Sequence, residues 1–251
     1  MKPRPITNCT RVGVLIGVII CSGCANNAAR QDGDVWDPFE PINRVSFKIN
    51  DLGDKYVLRP IAKGYETVTP RPIRTGVNNF FDNLSYPVTI TNDILQGKFT
   101  QGVADAARFV ANSIFGLGGF FDIAQYAGLE EHNEDFGQTF GVWGIPEGPY
   151  FVVPVFGPRT MRHGVGNLAD SLVHPQTQFN DSSIRTKVNL FYFVHRRSTL
   201  LAFDDELNRA FDKYVFIRDS YLQNRRYLRY DGEPPEGDLF FEENDEEFED
   251  F

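Results

Sequence analysis

Cysteine is nearly absent from this chain of 251 residues: it occurs at positions 9, 21 and 24 and nowhere beyond. Whatever the later residues build holds together without disulfides, and it offers neither a catalytic thiol nor a cysteine metal site. Long hydrophobic runs are also missing. Val12–Ile20 (VGVLIGVII) is too short for a bilayer core of about 30 Å, and no stretch after Cys24 reaches about 18 uninterrupted apolar residues. Histidine is scarce and scattered, at His132, His163, His174 and His195, with no ligand spacing. The sequence holds no GxSxG elbow, HExxH pair or P-loop, so it reads as a non-enzyme without metal or cofactor. A basic excess is lacking as well. Nine of the 34 acids fall in residues 236–251, which leaves 25 acids against 25 bases in residues 1–235. A nearly neutral body with an acidic tail excludes a nucleic-acid binder.

The beginning of the chain is the most specific feature present. Lys2, Arg4 and Arg11 precede the short apolar run, and Ser22-Gly23 precede Cys24. That order is read as a lipoprotein signal over residues 1–23, cut before a lipid-bearing Cys24. Cys21 departs from the aliphatic residue usual there, and an ordinary secretory signal is the competing reading. Each buried CH₂ of an attached chain contributes about 0.8 kcal/mol, so several chains hold a protein on a membrane that it does not cross. Ala25 stands where Asp favours inner-membrane retention, which points to the outer membrane. Residues 24–36 read as a tether and 232–251 as an acidic, disordered tail.

Between them, apolar residues recur with helical spacing. Ile42, Val45, Ile49, Leu52 and Tyr56 form one stripe, started near Asp37-Pro38 and ended at Arg59-Pro60. Pro72 opens a second helix with Ile73, Val77, Phe80, Phe81 and Leu84, and Pro87 starts a third that Gly97 ends. Thr100 caps a fourth, striped by Val103, Ala106, Ala107, Val110, Ala111 and Ile114 and closed by Gly116. Residues 182–203 are helical again. A further helix follows Asp204-Asp205, carries Leu207, Phe211, Tyr214 and Tyr221, and stops at Asp231-Gly232. The fold class is all-α.

Residues 115–157 differ, with nine glycines and ten aromatics and no clear period. Gly116-Leu-Gly-Gly119 follows a helix rather than a strand, so it reads as a helix stop and flexible joint, not a nucleotide loop. Residues 150–156 (YFVVPVF) read as an extended apolar hairpin or loop, since Pro154 excludes a central strand. Asp105 and Arg108 are spaced for a local ion pair. Arg59, Lys63, Arg71 and Arg74 suit lipid headgroups or an acidic partner, or simply a solvated turn. Arg159 and Arg162 carry the same ambiguity. Phenylalanine occurs 23 times against two methionines, which fits burial in acyl chains or a dense core.

Residues 37–44 (DPFEPINR), 56–60 (YVLRP), 112–122 (NSIFGLGGFFD), 136–141 (FGQTFG) and 212–219 (DKYVFIRD) resemble the MlaA (VacJ) family of outer-membrane lipoproteins. The likeness is near continuous from Asp37 to about Asp170. It implies a ring-like, monotopic helical protein over residues 37–231, with a central amphipathic channel. It implies removal of mislocalised phospholipid from the outer leaflet and its transfer to a soluble periplasmic MlaC-like carrier, beside a trimeric porin. By the same resemblance, a gating loop lies near 144–154, with Gly144, Gly148, Pro149, Tyr150, Val153 and Pro154, and the first helix influences opening near Ile49 and Asn50. Arg159 and Arg162 are then headgroup candidates. The alternative is a lipoprotein scaffold that holds a porin without moving lipid.

Overall fold

The computed structural model describes residues 37–178 and 180–235, so the signal, Cys24, the tether and most of the tail lie outside the described residues. The chain parts into two units, Met1–Val35 and Trp36–Phe251; all that follows concerns the second.

Helix α1 (Glu40–Gly53) does not end at the first proline pair. It widens into a π-helical turn (Asp54–Leu58) and continues as α2 (Arg59–Val68). The reason is local. Pro60 clashes with a regular turn before it, and in the widened turn the Arg59 N–H reaches back five residues to Asp54 O, so the axis runs on. Helix α3 (Arg71–Gln96) likewise absorbs Pro87, expected to start a separate helix. Inside that turn Ser85 Oγ donates to Phe81 O and Thr91 Oγ1 donates to Pro87 O. Gly97, at φ +81°, ends α3 as expected, with Lys98 N–H bonded to Asp93 O. Helix α4 (Phe99–Ile114) starts one residue before Thr100, which therefore does not cap it.

Gly116–Gly119 does stop α4, but it is no flexible joint. Gly118 and Gly119 bond back to Ser113 O and Asn112 O, and a Cβ on Gly119 would lie 2.3 Å from Asn83 Cβ. After a short 3₁₀ turn (Ala124–Ala127) comes α5 (Phe136–Val142), started by the Asp135 carboxylate on Gln138 N–H. Strands β1 (Tyr150–Val153) and β2 (Gly157–Thr160) pair antiparallel as a hairpin, with Pro154 just past β1. Helix α6 (Met161–Val173) has no counterpart in the sequence expectation. Helix α7 (Ser182–Thr199) and a 3₁₀ turn (Leu200–Phe203) agree with it. The helix expected from Asp204 onward is broken into α8 (Asp204–Arg209) and α9 (Lys213–Arg229), because Asp212 turns outward to cap Tyr214 and Val215 N–H.

The packing closes a circuit. α1 and its π-turn lead to α2, α2 packs on α7, and α7 leads through the 3₁₀ turn to α8 and α9. α9 then packs on β2, and β1 packs back on α1. Helices α3, α4, α5 and α6 buttress this circuit through α3–α7 and α5–α9 contacts.

The amphipathicity of these helices is turned inside out. The α1 stripe predicted from spacing is exposed (Ile42 67%, Val45 61%, Tyr56 68%). On α4, Val103, Val110 and Ile114 are exposed, whereas Asp105, Arg108 and Asn112 are buried. Asp105 and Arg108 do not pair with each other: Asp105 faces His132 Nδ1 at 3.1 Å, and Arg108 takes Asp122 and the Tyr86 hydroxyl. Buried residues include Asn43, Asn83, Asn92, Asp93, Glu134 and Gln138, and Phe81 is the buried phenylalanine among the described residues. Apolar surface on this scale marks a face covered by a membrane or by a partner protein. No helix among the described residues is long and apolar enough to cross a membrane.

Candidate functional site

The closed circuit surrounds a cavity of about 680 Å³. Phe47, Val152, Leu200, Leu207, Phe216 and Ile217 give it apolar walls. Asn50, Asp51, Asp54, Arg59, Arg197 and Asp204 line its polar side, with Glu206, Ser220 and Asn224 beyond. Such a mixed lining suits an amphipathic guest, because neither a headgroup nor an acyl chain is stranded against the wrong surface.

The polar side is an ion network joining three elements. Arg197 of α7 donates to Asp54 of the π-turn at 2.6 and 3.0 Å and to Asp204 of α8 at 2.7 Å. Arg59 reaches Asp54 at 3.1 Å and Asp204 at 3.5 Å. Burial works against the Arg197 charge, but its bonds to Asp54 and Asp204 outweigh that and raise its pKa above the ordinary value. Arg197 Nη1 is buried with no protein partner. Sequence reasoning flagged Arg59 within a basic cluster and missed Arg197, since an arginine pair at a helix C-terminus is read as a dipole partner and carries no other signal.

The two regions expected to gate the cavity are one mechanical unit. Asn43 and Asn50 lie two turns apart on α1 and each grips the hairpin backbone with its amide. Asn43 donates to Tyr150 O (3.1 Å) and accepts from Val152 N–H (2.9 Å). Asn50 donates to Val153 O (3.0 Å) and accepts from Val155 N–H (2.6 Å). The side chains thus stand in for a neighbouring strand along an edge that would otherwise lie unpaired. Ile49, adjacent to Asn50, is turned about 100° around the helix from it and belongs to the exposed stripe.

The rest of the 144–154 segment is also ordered. Gly144 (φ +85°) and Gly148 (φ +70°) occupy left-handed backbone, and a Cβ on Gly148 would come within 2.9 Å of Met161 Cβ. Pro149 O accepts from Met161 N–H. Tyr150 is buried against Tyr214 and Tyr221, and burial raises its pKa. Val153 is half-buried; Pro154, Val155 and Phe156 are exposed at the hairpin tip.

Neither headgroup candidate is brought to the cavity. Arg162 is buried, bonding Ile145 O at 3.0 Å and Glu147 at 2.9 Å, so it pins the segment before β1 to α6. Burial lowers its pKa. Arg159 pairs in register with Phe151, one step from Pro158 and Val152, which line the cavity, so alternation turns it to the opposite face. The four histidines are separately bonded to Asp105, Tyr221, Ser85 and Tyr65, and the described residues contain no group of metal-ligating side chains.

Comparison with known proteins agrees with this geometry. The family model described as MlaA lipoprotein matches residues 35–228. The intermembrane phospholipid transport system lipoprotein MlaA of Escherichia coli is 33% identical over 224 residues, covering 87% of this chain and 88% of that protein. The Haemophilus influenzae protein of the same name is 32% identical, with 89% and 91% covered. A chain solved in work on the structural basis for maintenance of bacterial outer membrane lipid asymmetry superposes with a TM-score of 0.68 at 32% identity, covering 77% of this chain and 98% of that one. With the family model spanning the whole circuit and the relatives matching over most of their length, this chain belongs to the MlaA lipoprotein family.

Proposed function

We propose that the protein removes phospholipid from the outer leaflet of the outer membrane and passes it through the cavity to the periplasm, maintaining lipid asymmetry. The observation that carries this reading is a closed circuit that is apolar outside and amphipathic within. An apolar exterior on helices that do not span suits a body lying in one leaflet. A headgroup crossing hydrocarbon leaves its polar atoms unpaired at several kcal/mol each, and the Asp54–Arg197 side of the cavity offers them partners instead. The lipid moves without any covalent change. Cys24 carries the lipid anchor on the periplasmic side, residues 1–23 are removed, and residues 24–36 tether the helical body of 37–231. A trimeric porin beside the body and a soluble MlaC-like carrier that receives the lipid complete the assembly.

The test fills the cavity. Ser220 is an exposed residue of α9 on the cavity wall, so Ser220→Trp adds bulk there without disturbing packing. In cells lacking the native copy, the unaltered protein should restore low outer-leaflet phospholipid, and Ser220→Trp at equal abundance should not. Full restoration by that variant would favour the scaffold reading, in which the porin is held and no lipid passes.

A further inference from the structure

A second cavity, of about 480 Å³, lies between the first turns of α3 and the last turns of α7 and shares no residue with the larger one. It is lined by Arg71, Arg74, Thr75, Asn78, His195 and Ser198, with Thr199 at its edge. Every lining side chain is polar and none is a carboxylate.

Asn78, Ser198 and Thr199 donate to Asp82, His195 O and Arg196 O, while Arg74 and His195 each keep a buried nitrogen unpaired. Arg74 gives Nη1 to Glu66 at 2.7 Å, while its Nε is buried and meets no partner. His195 is 1% exposed; its Nδ1 lies 3.2 Å from the Tyr65 hydroxyl, and its Nε2 is buried without a partner. Burial, reinforced by Arg196 and Arg74, lowers the His195 pKa, so the ring is neutral at pH 7. In the tautomer that accepts at Nδ1 from Tyr65, the ring hydrogen sits on Nε2, a further donor. Arg71 is exposed, forms no ion pair among the described residues and stands in the first turn of α3, at the positive end of a 26-residue helix. Buried donors left unpaired are costly, and a single anion with several lone pairs can satisfy them together.

We propose that this cavity is a second anion site, which takes the phosphate group of a membrane lipid apart from the transport path. The lipid source is favoured over free phosphate by the setting: Val68 and Ile73, three residues before and two after Arg71, are exposed and offer apolar surface for an acyl chain. Arg71 and Arg74 belong to the basic cluster noted in the sequence, which the transport cavity draws on only through Arg59.

Native mass spectrometry of the full protein in neutral detergent tests this, with dihexanoyl phosphatidic acid and inorganic phosphate titrated in parallel. The lipid should bind saturably. Arg71→Glu, at an exposed position that puts no packing at risk, and Arg74→Gln should each weaken it by about tenfold or more. Long-chain phospholipid that co-purifies in the larger cavity should be unchanged in both variants. If inorganic phosphate binds as tightly as the lipid and is lost in the same variants, the lipid assignment falls and a free-anion site replaces it. Lipid binding unaltered in Arg71→Glu overturns the site altogether.

Discussion

Asp93 is fully buried near the end of α3, where burial and the neighbouring Asp105 carboxylate push its pKa up to about 8. Gln101 donates to its Oδ1, its Oδ2 meets no donor, and Glu134 raises the pKa further while Lys98 opposes. The neutral acid is therefore the native form, with a hydroxyl able to donate to Asp105. A raised folded pKa contributes stability that is complete below about pH 4 and lost as pH rises through about 8. His163 runs the other way: burial lowers it to about 4, so its contribution is present above about 6.5 and lost as pH falls through 4. Asp93→Asn keeps the neutral shape and removes the titration. Its melting temperature should match the unaltered protein at about pH 4 and exceed it by at least about 2 °C at pH 9. A difference independent of pH would mean that Asp93 is charged in the fold.

At the scale of elements, α4 makes the sharpest statement about surroundings. Its buried face is Gly102, Asp105, Arg108 and Asn112, and its outward face carries Val103 at 72% exposure with Val110 and Ile114. In water such a helix would turn over; in acyl chains it sits correctly, because hydrocarbon takes the apolar face while the protein interior pairs the polar one. A nitroxide on Val103→Cys, in protein reconstituted into vesicles, should be reached by membrane-dissolved oxygen and shielded from a water-soluble nickel chelate. Strong relaxation by the chelate would place this face in water and remove α4 from the membrane belt.

For the whole molecule, the circuit closes where α1 meets the hairpin, through Asn43 and Asn50. Those side-chain bonds contribute about 1 kcal/mol net each, alongside the Arg44–Asp212 ion pair and the Phe47–Tyr214 ring contact that tie α1 to α9. We propose that this seam gates the cavity: opening needs two arrangements within a few kcal/mol, and the four hydrogen bonds broken there have water as the alternative partner. Asn50 Oδ1 and Val155 N lie 2.6 Å apart, so cysteines at both positions, joined directly or by a short reducible thiol cross-linker, would hold the seam shut. The cross-linked protein should leave outer-leaflet phospholipid at the level of cells without the protein, and reduction should restore it. Transport at the normal rate through a verified cross-link would move the gate elsewhere.

Spacing alone determined that most of the body is helical, with residues 115–157 set apart from the pattern. It also located the stripes of α1 and α4, the stop at Gly97 and an extended segment at 150–156, left open between hairpin and loop. These are local: apolar periodicity, φ > 0 at glycine and the missing proline N–H act over a few residues. The ordered short matches from Asp37 onward carried the family. Only the tertiary structure decided which way the stripes face, because periodicity separates two faces of a helix without naming the solvent each one meets. Pro60 does not end its helix because the π-turn lets the Arg59 N–H reach Asp54 O, and Pro87 stays inside α3, where only one N–H of a 26-residue helix is lost. The break at Asp212 was invisible, since an aspartate inside an apolar pattern announces a cap only once its carboxylate is seen on Tyr214 N–H. The cavity was least legible. Its ion network joins Asp54 to Arg197 and Asp204 across more than 140 positions of chain, and such a meeting is set by how the circuit closes, not by any residue's neighbours.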